Sequence, residues 1–413
     1  MAQTSNLTNF AADLKELYTL PPVRTLDDRS FLHNKLTKEQ AVADFSGKYV
    51  PFPVTLRRSL GRGSRGDEAV LPNAISEVLE QAKVRIKFHY YGIEWSDAIE
   101  QSSKNKEGAF EQVVTMKMKN LALDLAKEAN RQFYNDTFGS LATISPGANS
   151  ATQTLITAQY ASAGDKIDIV SSDGVTKRNA AALYIGTVDK STRQITLVDS
   201  SGAASSQNTT TGDLVIVSGN ITTGATPVNH EVEGLRHIAK TDRTLHDISS
   251  VTYEEWDGYL TDLNGAVAGE STFEQLYDGV GEKGRGDIDL YLSTRGIRRR
   301  LADEFASMRR YVNEKGTDLT VGFESIEVNG KPCVIDDDAP KGEVIGLSME
   351  ALKVFQLTEP GFVETDGSAR VELKRNSDGD AQAVYQAWYR YYMTLACTDP
   401  GRTGRITDAA DDF

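Results

Sequence analysis

The stretch 107–136, "EGAFEQVVTMKMKNLALDLAKEANRQFYND", determines how the rest of the chain is interpreted. It contains no proline, and its apolar residues recur at intervals of three and four, which places them on one face of an α-helix. They are Phe110, Val113, Val114, Met118, Leu121, Leu125, Ala129 and Phe133. The pattern predicts one helix from Glu107 to Asp136, about 45 Å long at 1.5 Å per residue.

The segment before this helix has a different period. In "KVRIKFHYYGIEWSDAIE" (83–100), apolar and basic residues alternate from Lys83 to Tyr90, which predicts one long strand. Its partner in a hairpin is expected near residues 52–60. The intervening "LPNAISEVLEQA" (71–82) predicts a short helix.

The tip of this hairpin, "SLGRGSRGDEAVLPN" (59–73), contains the string G-x-G-x-x-G at Gly61, Gly63 and Gly66. A dinucleotide site needs that string between a buried strand and a helix, with an acidic residue about 20 positions later. Here arginines precede it, Pro72 follows it, and "RIKFH" stands at the acidic position. The context therefore favours a flexible, basic contact loop over a phosphate site.

The chain after the helix divides into two compositional regions. Residues 145–231 are rich in Ser, Thr, Gly and Ala and contain short apolar runs between turn signals, which predicts a β-rich insertion. Residues from 232 onward alternate helix and strand patterns. Predicted helices are 254–265, 272–284 and 294–312; predicted strands are 287–293, a hairpin through Asn329-Gly330 within 324–338, and 371–375 with 384–397.

Composition limits the classes of function that the chain can have. The net charge is -14, and no stretch of about 18 apolar residues would predict a membrane span. An acidic chain is a poor candidate for binding DNA phosphates tightly, although it can enclose DNA.

Cys333 and Cys397 lie in apolar runs and are predicted to be buried free thiols. We predict no catalytic, metal-binding or cofactor-binding residues, because no nucleophile elbow, phosphate loop or metal-ligand spacing occurs.

The sequence contains two further groups of residues whose types could bind a metal. The histidines at positions 33, 89, 230, 237 and 246 have no acidic or cysteine partner at metal spacing, so we interpret them as core or surface residues. The three aspartates of "IDDDAP" (335–340) lack a calcium-loop pattern and are interpreted as a solvated turn.

The order of these elements resembles that of tailed-phage major capsid proteins with the HK97 fold. The phrases that carry the resemblance are "FSGKYVPFP" (45–53), "YYGIEWSDAIEQSSKNKEGAFEQVV" (90–114), "MKNLALDLAKEANRQFYND" (118–136) followed by "TFGSLATI", and "YQAWYRYYMTLACTDPGRTGRI" (385–406). It covers nearly the whole chain except the insertion. It implies an α+β, HK97-like capsid fold with an N-terminal arm, an extended β-hairpin loop, a long spine helix and an axial domain, to which the composition of the chain adds the β-rich insertion.

The resemblance also implies a division of the chain. The N-terminal arm would be 1–50, the extended loop 51–100, and the spine-helix part of the peripheral domain 101–144. The insertion would be 145–231, the axial domain 232–354, the peripheral return strands 355–395, and the C-terminal segment 396–413.

By the same resemblance, the protein would form hexamers and pentamers of an icosahedral head around double-stranded DNA. A separate scaffolding protein, a portal and decoration proteins would be partners. The protein would be assembled in the host cytoplasm and reside in the virion, with no cofactor. The alternatives are another self-assembling virion component, such as a tail-tube or decoration protein, and a nucleotide-binding α/β enzyme.

Two charged clusters are candidate contacts between subunits. The first lies in the loop and comprises Arg57, Arg58, Arg62, Arg65, Asp67 and Glu68. The second, Arg298, Arg299 and Arg300, lies on the helix predicted over 294–312. For the second cluster, contact with an acidic partner surface and a solvated face paired with Asp303 and Glu304 are both open.

Overall fold

The computed structural model describes residues 30–36, 38–40, 49–67, 69–103, 113–284, 286–308, 326–365, 368–369, 371–376 and 379–411. The α-helices are Phe31–Lys35, Asp97–Ser103, Val113–Gln132, Leu235–Ile238, Glu270–Gly284 and Arg295–Met308. Short 3-10 turns occupy Glu254–Trp256, Met349–Ala351 and Pro400–Arg402. None of these helices is both long and apolar enough to span a membrane.

The strand Ala381–Cys397 organises the first sheet, which we call the long-strand sheet. The sheet has six described strands, of which four pair directly with this one and the fifth, Lys38–Gln40, pairs with Leu352–Gln356. The others are Lys38–Gln40, Lys87–Ser96, Leu352–Gln356, Gly361–Phe362 and Val371–Arg375. The strand Lys87–Ser96 runs antiparallel along one side, in a register from Lys87↔Met393 to Ser96↔Val384.

A second sheet of six described strands forms the insertion. Its strands in spatial order are Ala142–Thr143, Leu214–Val217, Lys166–Val170, Leu183–Asp189, Gln194–Val198 and Thr152–Thr154. Inward-facing residues such as Ile167, Ile185 and Ile195 bury a core of their own. The short apolar runs of the sequence therefore become strands, because their alternate residues share one buried face.

A third sheet, the mixed sheet, combines parallel and antiparallel pairs. Its order is Tyr259–Asp262, Gly404–Thr407, Val344–Leu347, Leu290–Ser293, Lys331–Ile335 and Ile326–Val328. The hairpin turn at Asn329-Gly330 has positive φ at both residues, 53° and 69°, as a two-residue turn requires. Short two-stranded pairs complete the described fold: Val50–Arg57 with Val78–Val84, Asn149–Ser150 with Gln207–Asn208, Ile221–Thr222 with Val228–Asn229, Thr244–Leu245 with Ile248–Ser249, and Glu364–Thr365 with Ser368–Ala369.

The helix Val113–Gln132, here called the spine helix, packs its predicted apolar stripe into the central core. Leu121, Leu125, Ala129 and Phe133 are all buried, and the last three belong to the core that includes Tyr391 and Leu395 of the long strand. Residues 104–112 lie outside the described part of the chain, so only the C-terminal part of the prediction is tested. The helix ends at Gln132, four residues earlier than predicted.

The backbone contacts around residues 131–135 explain why the spine helix ends at Gln132. The last turn tightens through hydrogen bonds from Tyr134 N to Arg131 O and from Asn135 N to Gln132 O. The Phe133 carbonyl then accepts Leu235 N at 2.7 Å, so a segment from beyond the insertion caps the helix. Gly234 permits this approach, because a Cβ at that position would stand 2.4 Å from Asn135 N.

Three secondary-structure predictions are wrong. The predicted helix over 71–82 is irregular to residue 77 and then a strand, because Val78–Val84 pairs with Val50–Arg57. The long strand predicted from Lys83 breaks at residues 85–86 into two strands of different sheets. The helix predicted over 254–265 is one 3-10 turn followed by the strand Tyr259–Asp262, which pairs in parallel with Gly404–Thr407.

Candidate assembly interface

The loop between the paired strands Val50–Arg57 and Val78–Val84 is the most exposed segment described. We call residues 58–77 the basic loop, and its described residues, 58–67 and 69–77, contain no helix or strand. Large apolar side chains of the loop face solvent, with Val70 88% and Leu71 80% exposed, accompanied by Leu60 and Ile75. A contiguous exposed apolar segment on a soluble chain marks an interaction surface.

The two sides of the basic loop are held together near its base. Ser59 Oγ donates to the Ile75 carbonyl, and a Cβ on Gly61 would lie 2.7 Å from Ile75 N. A Cβ on Gly66, in contrast, would meet nothing within 4 Å. The glycine string therefore lies in a closed loop between two strands, where Gly61 allows a close backbone approach.

Arg57, the first residue of the predicted contact cluster, is used within its own chain. Its Nε donates to Glu255 Oε1 at 3.1 Å, and its Nη2 donates to the Thr252 carbonyl at 3.2 Å. The guanidinium also stacks over the Tyr253 ring, 5.5 Å from its centroid. Arg57 therefore fixes the root of the basic loop.

The remaining cluster residues have a different environment. Arg58, Arg62, Arg65 and Asp67 are exposed. The three arginine side chains make no hydrogen bond or ion pair with any residue of the described part. Glu68 lies outside the described residues. The loop thus presents cations that a neighbouring molecule can bind.

The second predicted cluster lies on the helix Arg295–Met308. Arg299 is exposed, whereas Arg298 and Arg300 are half-buried, and all three have interaction partners in the chain. The same helix begins with Arg295, whose Nε and Nη2 donate to the two carboxylate oxygens of Asp337 at 2.7 and 2.9 Å. A role of this cluster between subunits stays a prediction.

The three aspartates 336–338 are not the solvated turn that the sequence suggested. Asp336 and Asp338 are buried, and Asn130 of the spine helix donates to both, reaching Asp338 Oδ2 at 2.6 Å. Tyr134 also donates to Asp336 at 2.8 Å. Burial raises the pKa of Tyr134, and Asp336 adds to that effect, so the phenol remains a donor at neutral pH.

The insertion attaches to the same turn. Gln159 Nε2 donates to the carbonyls of Asp337 and Ala339, and Tyr160 OH donates to the carbonyl of Asp338 at 2.7 Å. Spine helix, insertion and the Arg295 helix therefore meet at one turn. The spacing of apolar residues cannot predict these polar contacts. The run of three adjacent aspartates could have indicated them, because carboxylates that become buried require hydrogen-bond partners.

A second buried network joins the end of the spine helix to the end of the insertion. Arg131 Nη2 donates to Glu231 Oε2 at 2.8 Å, and its Nε donates to Glu128 at 2.9 Å. Burial alone would lower the pKa of Arg131, but Glu128 and Glu231 outweigh it and raise that pKa well above its usual value. The three consecutive residues Asn130, Arg131 and Gln132 are buried with partners: Asn130 binds the aspartates of the 336–338 turn, and Arg131 and Gln132 bind the segment 231–232 at the end of the insertion.

Both cysteines are buried and free, as predicted. Burial raises the pKa of the Cys397 thiol to about 12 and also raises that of Cys333. A thiol that stays protonated at neutral pH is a poor nucleophile.

Solved capsid structures share this fold over nearly the whole chain. A chain of the cyanophage A-1(L) capsid asymmetric unit is 13% identical with a TM-score of 0.55, and the match covers 96% of this chain and 98% of that one. The capsid of a native GTA particle is 10% identical with a TM-score of 0.50, covering 96% and 95%. A structure of Microbacterium phage Oxtober96 is 8% identical with a TM-score of 0.50, covering 97% and 98%.

No family model matches the chain, and no curated protein is similar to it. At these identities the structural likeness establishes the fold alone. The chain has an α+β, HK97-like capsid fold, as the sequence resemblance implied.

Proposed function

We propose that this chain is the major capsid protein of a tailed phage, assembling as hexamers and pentamers into an icosahedral head. The observation that carries the proposal is the likeness to a chain of the cyanophage A-1(L) capsid asymmetric unit, which covers 96% of this chain and 98% of that chain. Fold alone does not define function. A surface feature of this chain gives independent support.

That feature is the basic loop. Its apolar side chains are left exposed by the described residues of the subunit, and the loop joins the two strands of a two-stranded pair. Burial of one leucine or valine contributes about 1.5–3 kcal/mol, so a neighbouring subunit that covers several of them gains a substantial contact. Heterologous contacts of this kind close into rings when the rotation between copies permits it.

The net negative charge of the chain is compatible with a shell that encloses DNA without binding it tightly. With a net charge of -14, the protein lacks the cationic excess that binds duplex DNA tightly. We infer that the shell encloses double-stranded DNA without sequence-specific contacts. A separate scaffolding protein, a portal and decoration proteins are the proposed partners, and the virion is the proposed location.

Electron microscopy of the expressed full-length chain, alone and with the proteins of its own phage lysate, tests the proposal. Closed shells or isolated hexameric capsomers are expected. Stacked rings that grow into tubes would identify a tail-tube component instead. A monomer at all concentrations, stabilised against heat by a nucleotide, would contradict the proposal and favour an enzyme.

A further inference from the structure

The pair Asn-Gly occurs twice in the chain, and the fold places both pairs in tight turns of the mixed sheet. They are Asn264-Gly265, after the strand Tyr259–Asp262, and Asn329-Gly330, in the hairpin described above. Both residues of each pair have positive φ, 48° and 79° in the first turn and 53° and 69° in the second. All four residues are exposed. The two turns are therefore alike in residue types, in the sign of φ and in exposure.

The two turns differ in the partner of the glycine amide. Gly265 N donates to the Asp408 carbonyl at 2.7 Å, and Asp408 directly follows the strand Gly404–Thr407. Gly330 N donates to no acceptor among the described residues. The carboxamide of Asn329 likewise forms no hydrogen bond with the part of the chain that the structure describes. The second turn therefore combines an unbonded amide nitrogen with an unbonded carboxamide on the residue before it.

A backbone nitrogen can attack the side chain of an asparagine that precedes it. In this turn, Gly330 N would form a bond to Cγ of Asn329 while the bond from Cγ to Nδ2 breaks. Nδ2 leaves as ammonia and takes the proton that the amide nitrogen gives up, which produces a five-membered succinimide ring. Water then opens the ring at either carbonyl and gives aspartate or isoaspartate. Glycine favours the attack because it has no side chain to obstruct the approach.

We propose that Asn329 is a site of spontaneous deamidation in the folded chain, and that the hydrogen bond from Gly265 to Asp408 protects Asn264. A nitrogen whose proton is bound to a carbonyl must lose that bond before it can attack, so reaction at Asn264 requires local opening of the turn. The net contribution of one hydrogen bond corresponds to a rate difference of about fivefold. The inference goes beyond the proposed shell function and does not depend on it, because it concerns a single chain.

The surroundings of Asn329 leave room for the product. A Cβ placed on Gly330 would meet nothing within 4 Å, so the ring has open space in which to close. The strand Ile326–Val328, which leads into the turn, is the last of the mixed sheet in the described part of the chain. Conversion adds one negative charge at this edge, and isoaspartate also adds one methylene to the backbone of the turn. Because water does not reverse the loss of ammonia, the converted fraction increases with the age of the protein.

Peptide mass spectrometry of the full-length chain, incubated at mildly alkaline pH, tests the inference. It measures the initial rate of conversion at each asparagine, and a methyltransferase specific for isoaspartyl carboxylates identifies the rearranged product. In the folded chain, the rate at Asn329 should exceed that at Asn264 by about fivefold or more. The same chain in concentrated urea is the matched reference. Neither turn persists there, so the two rates should become equal.

Two variants assign the modification to its position. Asn329→Gly should remove most of the isoaspartate that the folded chain accumulates, whereas Asn264→Gly should leave that amount unchanged; glycine adopts the positive φ of both turns. Equal rates at the two asparagines of the folded chain would overturn the inference. So would a rate ratio in urea that matches the folded one, or a folded chain in which neither asparagine changes while both convert in urea. None of these outcomes bears on whether the chain forms shells.

Discussion

Asn130 Nδ2 lies 2.6 Å from Asp338 Oδ2 and 3.2 Å from each carboxylate oxygen of Asp336, so a single side chain of the spine helix binds both aspartates. Its Oδ1 simultaneously accepts His33 N at 2.9 Å. Lys127, one helical turn earlier, forms an ion pair with Asp338 at 3.0 Å. The spine helix is therefore joined to the mixed-sheet side of the molecule by polar contacts as well as by its apolar stripe.

Replacing Asn130 by alanine should destabilise the subunit substantially. The change removes buried hydrogen bonds to ionised groups and leaves Asp336 and Asp338 with fewer donors, so we expect a loss of about 2–3 kcal/mol in the free energy of unfolding. Urea denaturation of the unassembled chain measures it. Asn73→Ala, at an exposed asparagine of the basic loop, is the control and should change stability by less than about 0.5 kcal/mol.

Acid should destabilise the subunit through its buried histidines. Burial lowers the pKa of His246 to about 3 and that of His89 to about 4, from an ordinary value of 6.5. The unfolded chain therefore takes up these protons near pH 6.5, while the folded chain does not. Stability falls as pH drops from 6.5 toward 4, by about 1.4 kcal/mol per pH unit for each histidine.

His246→Gln checks this expectation. His246 Nε2 accepts Cys397 N at 3.2 Å, and a glutamine oxygen can replace that acceptor without titrating. The slope of unfolding free energy between pH 6 and 5 should decrease by about 1.4 kcal/mol per unit, and by twice that amount when His89→Gln is added. An unchanged slope in the double variant would show that other groups cause the acid sensitivity.

Gly61 and Gly66 should respond differently to the same substitution. Alanine at Gly61 would place Cβ within 2.8 Å of Asn73 O as well as against Ile75 N, so the two sides of the basic loop must separate. We expect Gly61→Ala to speed tryptic cleavage at the loop arginines several-fold without changing global stability. Gly66→Ala has open space and serves as the matched control. Equal cleavage rates would disprove the packing role of Gly61.

Reversing the charge of Arg62 and Arg65 together should impair assembly. Neither side chain has a partner in the described chain, so the double change to glutamate leaves intramolecular contacts intact. We expect at least a tenfold lower yield of shells, measured by sedimentation, with an unchanged unfolding midpoint. The control is Lys190→Glu together with Arg193→Glu, an exposed pair on the insertion. Normal shells from the loop variant would argue against an electrostatic role for the loop.

Periodicity predicted the elements whose stability comes from one buried face. The spine helix stripe from Leu121 to Phe133 and the insertion strand Gln194–Val198 are of this kind. In these elements the spacing of the apolar residues matches the spacing of the buried positions, so the sequence is sufficient to predict the helix or strand. The overall order of elements was sufficient to indicate the capsid fold, which the structural likeness confirms.

Tertiary pairing decided the elements that were predicted wrongly. Residues 78–84 have a helical composition, yet their backbone pairs with Val50–Arg57, and that partner cannot be seen from local sequence. The alternation of apolar and basic residues that begins at Lys83 continues through residues 85–86, although the strands on either side of these two residues belong to different sheets. Likewise, the role of aspartates 336–338 depends on Asn130, which lies about two hundred positions away. The candidate contact residues stay predictions, since exposed charges of one chain do not reveal which of them a neighbour covers.

The strand Ala381–Cys397 can transmit force from the exposed end of the long-strand sheet to the core of the subunit. It comprises 17 residues, about 56 Å of continuous backbone, and reaches from its exposed turn into the buried core near Leu395. Strands lie along both of its sides, so a pull at the turn loads their hydrogen bonds in shear, many at once rather than one by one. We therefore expect tension applied at the exposed end of this strand to be carried into the core without unzipping the sheet.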